Sequence, residues 1–491
     1  MQTRYIVCLF LSCALCWNTC SAQNTTKEEY EKFKQTARKR YDDFRQKANK
    51  EYARFMRSAW QRYQVMPALP QPKEDPPVPP TVYPEEDRKD DKPQDTPRPI
   101  DEVIPVPQPQ PQPKPVAPVP EVPVEKEEYF PFAFWGTNER VRMGEKNRFR
   151  MRDCSPEQAA LAWEICSASQ FDNLIRDCLE IRIRHNLCDW AYLQMLKKLS
   201  DSFFGEGTNE AVLLTAYLYC QSGYKMRLAT SGTRLYLLYA SRHTIYKHTY
   251  FDIGGEHFYV LDGNEKQLQI FTASYPSEQS MSLQIAKAQR FGDNDSPKRV
   301  LKSERYPEMQ VEVSVNKNLI DFYNQYPLSD YDNNFMTRWA IYANTPLEET
   351  LRQDLYAQLK RIISGKSQLD AANILINWVQ TAFVYEYDDK VWGCDRAFFA
   401  EESLYYPYCD CEDRSILFSR LVRDLLGLKV VLVYYPGHLA TAACFTEAVQ
   451  GDYIALNGKH FVVCDPTFIG APVGHTMTDM DNTAAKVILL E

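Results

Sequence analysis

A chain of 491 residues is too long for one ordinary domain of roughly 100–200 residues. With 44% hydrophobic and 25% charged residues its usage is globular, and a net charge of −8 excludes a general nucleic-acid binder. No apolar run approaches the roughly 18 residues that cross a bilayer, so no transmembrane segment is expected.

Residues 1–22 read as a secretory signal. Arg4 is the positive start, Ile6 to Trp17 the apolar stretch, and Cys20-Ser21-Ala22 a small-residue cleavage site before Gln23. The expectation is export, to a periplasm or a cell surface. Four of the 14 cysteines leave with such a signal; ten remain, from Cys154 to Cys464, too sparse for a disulfide scaffold. Their spacing leaves any pairing open.

Residues 23–65 predict an amphipathic helix with an 11-residue repeat. Tyr30, Phe33 and Ala37 recur as Tyr41, Phe44 and Ala48, then as Tyr52, Phe55 and Ala59. Eleven residues make three helical turns, so these side chains share one stripe. Over residues 27–63, 12 Lys and Arg face 6 Asp and Glu. Two readings stand: a helix packed on its own domain, or a self-associating coil or envelope contact through 27–63. Residues 66–127 are a Pro-rich linker. Of the 31 prolines, 20 fall between Pro67 and Pro123, which predicts an extended polyproline spacer.

From residue 128 the pattern is globular and weakly duplicated. Tyr250 to Asp262 aligns without a gap on Tyr453 to Asp465, and the apolar helix before Gly223 matches the one before Gly427. The expected organisation is a first unit over 128–300, a connecting strand and helix segment over 301–365, and a second unit over 366–491.

The second unit concentrates the chemistry. Cys411 begins an apolar helical pattern, where free N–H groups favour a thiolate. His438 follows the Pro436-Gly437 turn and opens a β-rich run; Asp465 ends the next such run. A thiol on a helix tip, an imidazole and a carboxylate in that order can act as nucleophile, base and orienting group. Other readings of these residues are a buried or disulfide-bonded Cys411, and zinc held by Cys409, Cys411, His438 and Asp465. Asp410 and Glu412 add negative charge beside the thiol, which opposes ionisation. Trp392 is a candidate oxyanion donor or a core residue, His257 and His460 read as hairpin residues, and His475 could line the cleft.

These residues carry a resemblance. Residues 366–491 resemble the transglutaminase-like superfamily of papain-type cysteine hydrolases and acyltransferases, through Cys411, His438 and Asp465 and through a leading helix and tyrosine, Asn377-Trp378-Val379 and Tyr385. Cys409 replaces the family's usual Gly two residues before the nucleophile, and Leu439-Ala440 follows His438 where many members carry an aromatic. The resemblance implies an α+β, papain-like transglutaminase-type unit, duplicated, with Cys411, His438 and Asp465 as catalytic residues and neither cofactor nor metal. In the first unit Gly207 stands where Cys411 does and Arg234 where His438 does, while Asp262 matches Asp465, so that copy is expected to be degenerate and silent. The implied activity is thiol-dependent hydrolysis or transfer at an amide of a peptide or protein substrate, with peptidase or amidase favoured over crosslinker. The alternative is an inactive binding or scaffold protein of the cell envelope.

Overall fold

The computed structural model describes residues 39–491 except 74, 85–92, 107, 124–126, 478–479 and 482–484, together with Lys32 and Thr36. The expected signal and most of the first Tyr/Phe/Ala repeat lie outside the described residues. The fold is mixed α+β, built on two sheets with helices between them, the first antiparallel and the second antiparallel except for a parallel strand at each edge. Among the described residues no helix is long and apolar enough to cross a membrane.

The N-terminal helix, α1, is described over residues 39–56, with Lys32 and Thr36 also helical, and it ends short of the expected residue 65. Its buried face is Arg45, Ala48, Asn49, Tyr52, Ala53 and Met56, while Tyr41, Phe44 and Phe55 of the expected stripe stay about half exposed. Polar partners redirect the burial. Arg45 pairs with buried Asp172 at 2.7 Å, and Asn49 accepts from Trp163 Nε1 at 3.3 Å, so both side chains enter the core with their charge or dipoles met. The helix therefore packs on its own body. Beyond Ala59 the chain leaves the helix for strand β1, Trp60–Gln64, which gains the hydrogen bonds of a sheet edge.

The Pro-rich segment is extended, but it is no free spacer. It contributes β2, Thr96–Pro97, and β3, Glu102–Ile104. The first unit supplies β4 Met226–Ser231, β5 Arg234–Ala240, β6 Tyr250–Ile253, β7 Glu256–Val260 and β8 Gln267–Phe271. The second supplies β9 Lys429–Tyr435, β10 His438–Cys444, β11 Asp452–Leu456, β12 Lys459–Cys464 and β13 Lys486–Leu489. The sheet orders are β1-β8-β4-β5-β7-β6 and β2-β11-β12-β10-β9-β13-β3. Without β1, β2 and β3, the two orders are the same sequence of fifth, first, second, fourth and third strand. Each first strand follows a helix, α2 (Asn209–Gln221) in one unit and, in the other, one that opens at Cys411. Both outer edges of the second sheet are thus paired by the Pro-rich segment, where prolines are tolerated because an edge strand bonds on one side only.

One continuous apolar core holds α1, the helices and the inner sides of both sheets, from Tyr52 through Trp163 to Trp378 and Ile488. A smaller cluster backs each sheet, one around Phe251 and Phe258, the other around Val433, Tyr435 and Val487. The segment over 301–365 is part of this packing. It contributes α3, Thr337–Asn344, which lies on the helix that opens at Cys411.

Candidate active site

Three elements of the second unit carry the candidate triad. Helix α4, Gln368–Thr381, precedes helix α5, Cys411–Leu426, whose first residue is Cys411 and whose end is closed by Gly427 at φ 67°. His438 is the first residue of β10, and Asp465 directly follows β12. His438 Nε2 donates to Asp465 Oδ2 at 2.9 Å, with both side chains fully buried. The other oxygen, Oδ1, accepts the backbone N–H groups of Thr467 and Phe468 at 2.9 and 3.2 Å, which fixes the carboxylate in place. Nδ1 of His438 is buried and meets no protein hydrogen-bond partner. Cys411 and His438 line one cavity of about 530 Å³. The geometry is that of an oriented imidazole with one nitrogen left over for a proton.

Neighbouring side chains hold these elements together. Ser415 Oγ, one turn beyond Cys411, donates to Leu439 O at 2.7 Å and ties the helix tip to the start of β10. Gln380 of α4 donates to the carbonyls of Asp465, Phe468 and Ala471 and accepts from Gly470 N–H, bracing the loop that carries the carboxylate. Arg414 donates to the Gln380 and Phe383 carbonyls and lies over the Tyr385 ring. Tyr385 pairs in register with Cys409, two residues before Cys411.

The surroundings of the thiol oppose the expected thiolate. Burial pushes the Cys411 thiol well up, and the Glu412 and Asp410 carboxylates push it further; a hydrogen bond from the Leu439 backbone acts the other way. The Cys411 thiol donates to Glu412 Oε2 at 3.3 Å. The helix terminus alone does not decide the matter, because desolvation and adjacent like charge outweigh it. Asp388, Asp395 and Glu412 bring carboxylate oxygens within 4.8 Å of one another, as do Asp410, Cys411 and Glu412 through their own ligand atoms. Burial, and after it the neighbouring carboxylates, push Glu412 up to about 7 and Asp388 up to about 8. Cys409 is a buried free thiol, as is Cys411.

Sequence reasoning missed Trp339. It is buried, lines the cavity, stacks on Tyr434 at 5.4 Å, and its Nε1 has no protein partner. Nothing in its local pattern marks it, because α3 delivers it from the segment between the two sheets. Trp392 instead packs between Phe398 and Tyr406 with Arg396 over its ring. His257 and His460 stack on Tyr250 and Tyr453 of the neighbouring strands, at 4.1 and 4.0 Å. His475 lies against Tyr83, away from Cys411.

The first unit brings its matching residues together as well. Gly207, Arg234 and Asp262 line one cavity of 320 Å³. The Arg234 guanidinium ends 3.9 Å from where a Cβ of Gly207 would sit, and Asp262 pairs with Lys197 at 3.3 Å. This pocket holds neither a thiol nor an imidazole among its lining residues. Comparison with family models, curated proteins and solved structures gives no match to this chain, so the site is read from its own geometry.

Proposed function

We propose that the chain is an exported thiol-dependent amide hydrolase or acyltransferase whose second unit, of transglutaminase-like type, uses Cys411, His438 and Asp465. The observation that carries this reading is the buried His438–Asp465 pair at 2.9 Å beside a cavity shared with Cys411. The Cys411 thiol passes its proton to His438 Nδ1 as sulfur bonds to the amide carbon. His438 then gives that proton to the leaving nitrogen as the C–N bond breaks, leaving a thioester. Water attacking the thioester releases an acid and makes the enzyme a peptidase or amidase; an amine in its place makes it a crosslinker. Trp339, which lines the cavity and whose buried Nε1 has no protein partner, is the candidate donor to the developing oxyanion. The first unit is a degenerate duplicate, a reading supported by the shared strand order and by Gly207 and Arg234 at the matching positions.

Cys411→Ala should abolish turnover of amide substrates and leave the fold intact by circular dichroism. Turnover equal to that of the unaltered chain would end this assignment. The second reading, an inactive scaffold of the cell envelope, draws on the raised thiol; it expects no turnover from either chain. Export to a periplasm or cell surface rests on residues 1–22, and N-terminal sequencing of the mature chain should begin at Gln23.

A further inference from the structure

Residues 71–73 and 75–83 lie across the loops that carry the candidate triad. Gln71 donates through Nε2 to the carboxylate of Asp395. Asp75 accepts from Tyr434 Oη at 2.7 Å, and Val78 N–H donates to Gly437 O at 2.8 Å, one residue before His438. Thr81 O accepts from Ile469 N–H at 2.8 Å and Tyr83 N–H donates to Ile469 O at 2.9 Å, four residues past Asp465. Lys73, Asp75, Pro76 and Pro77 complete the wall of the cavity that holds Cys411 and His438. The approach is backbone to backbone: a Cβ on Gly437, at φ 76°, would sit 2.1 Å from the Pro76 carbonyl oxygen.

Three of these contacts are main-chain bonds to an extended segment, which is how a groove accepts a peptide of varied sequence. The segment is also suited to the role. Pro76, Pro77, Pro79 and Pro80 fix φ beforehand, so little chain entropy is lost on docking. Among the described residues of 71–78, the side-chain hydrogen bonds to the cavity wall come from two residues, Gln71 to the carbonyl and carboxylate of Asp395 and Asp75 from Tyr434 Oη.

We propose that the Cys411–His438 cleft is a groove for an extended peptide strand, and that residues 71–83 of the same chain are its resident, displaceable occupant. The proposal rests on the thiol chemistry of the preceding subsection and names its substrate class, a polypeptide bound as an extended strand. Substrate and residues 71–83 then compete for one groove, and their exchange sets access to the thiol.

The test uses the full mature chain carrying Gln71→Ala and Asp75→Ala together. Both residues lie outside the triad. Iodoacetamide labelling of Cys411, read by peptide mapping with exposed Cys394 as reference, should speed up by on the order of tenfold while Cys394 is unchanged. A synthetic peptide of residues 71–83 should slow the variant's labelling again, saturably. Equal Cys411 rates in both chains, or no effect of the peptide, would overturn the proposal. In the unaltered chain, the Val78 and Tyr83 amides should exchange hydrogen faster than that of Ile104 in β3; equal protection makes the segment a permanent part of the fold and also overturns it. Faster labelling with no amide turnover keeps the groove and removes the hydrolase reading. Cys411-dependent turnover with equal labelling does the reverse.

Discussion

At Cys411 a helix terminus, burial and two carboxylates act on one sulfur. The terminus favours the thiolate, but burial, Glu412 and Asp410 favour the thiol, in that order of size. A raised thiol stays protonated through neutral pH and ionises only above the ordinary range. Iodoacetamide labelling of Cys411 should therefore lag behind that of Cys394 at pH 8 and rise more steeply above it. Glu412→Gln removes one of the opposing charges and should speed Cys411 labelling severalfold at pH 8. A pH profile identical to that of the unaltered chain would show that Glu412 does not govern the thiol. The imidazole is ordered differently: Asp465, held by two backbone N–H groups, fixes the Nε2 side and leaves Nδ1 available.

The Pro-rich segment adds strands to both edges of the second sheet, and Ile104 of β3 is 1% exposed. Ile104→Ala should lower stability by about 2–4 kcal/mol in denaturant unfolding, as for any buried large-to-small change. A change below about 0.5 kcal/mol would mean that β3 is only loosely attached. At this scale the limits of sequence reading are physical. The helix start at Cys411, the strand start at His438 and the strand end at Asp465 are marked locally, by an apolar helical period, a Pro-Gly turn and β-rich runs. The destination of residues 66–127 is not. Prolines announce an extended backbone, and the same backbone serves a solvated spacer or an edge strand; which one it becomes depends on edges more than 300 positions away, such as Asp452 bonded by Arg98 across 354 residues. The buried face of α1 eluded the 11-residue repeat for a similar reason, since buried Asp172 and Gln221 draw Arg45 and Asn49 inward. Trp339 reaches the cleft through packing alone.

Across the whole molecule the buried carboxylates set a pH dependence. Burial pushes Glu401 and Glu402 up to about 7, as it does Glu412, with Asp388 at about 8. The folded chain thus holds more protons than the unfolded one between the ordinary carboxylate range and these values, and stability falls as pH rises through that window. Buried His243, pushed down to about 3, acts the opposite way, but only below its ordinary value of 6.5. The melting temperature at pH 6.5 should therefore exceed that at pH 8. A higher melting temperature at pH 8 would indicate that these carboxylates stay ionised in the folded chain.

The pairing of β2 and β3 with the far end of the chain bears on the order of folding. Residues 96–104 are made early in synthesis, yet their partners in β11 and β13 follow some three hundred and fifty residues later. Contacts so distant in sequence close slowly, because the intervening loop must first be ordered. The second sheet therefore emerges with both edges bare, and the first segment of the chain finishes the last sheet. Since residues 75–83 of the same Pro-rich segment lie over the Cys411 cleft, completion of the fold and covering of the thiol belong together, and a chain interrupted before it would expose two unpaired strand edges together with the Cys411 thiol.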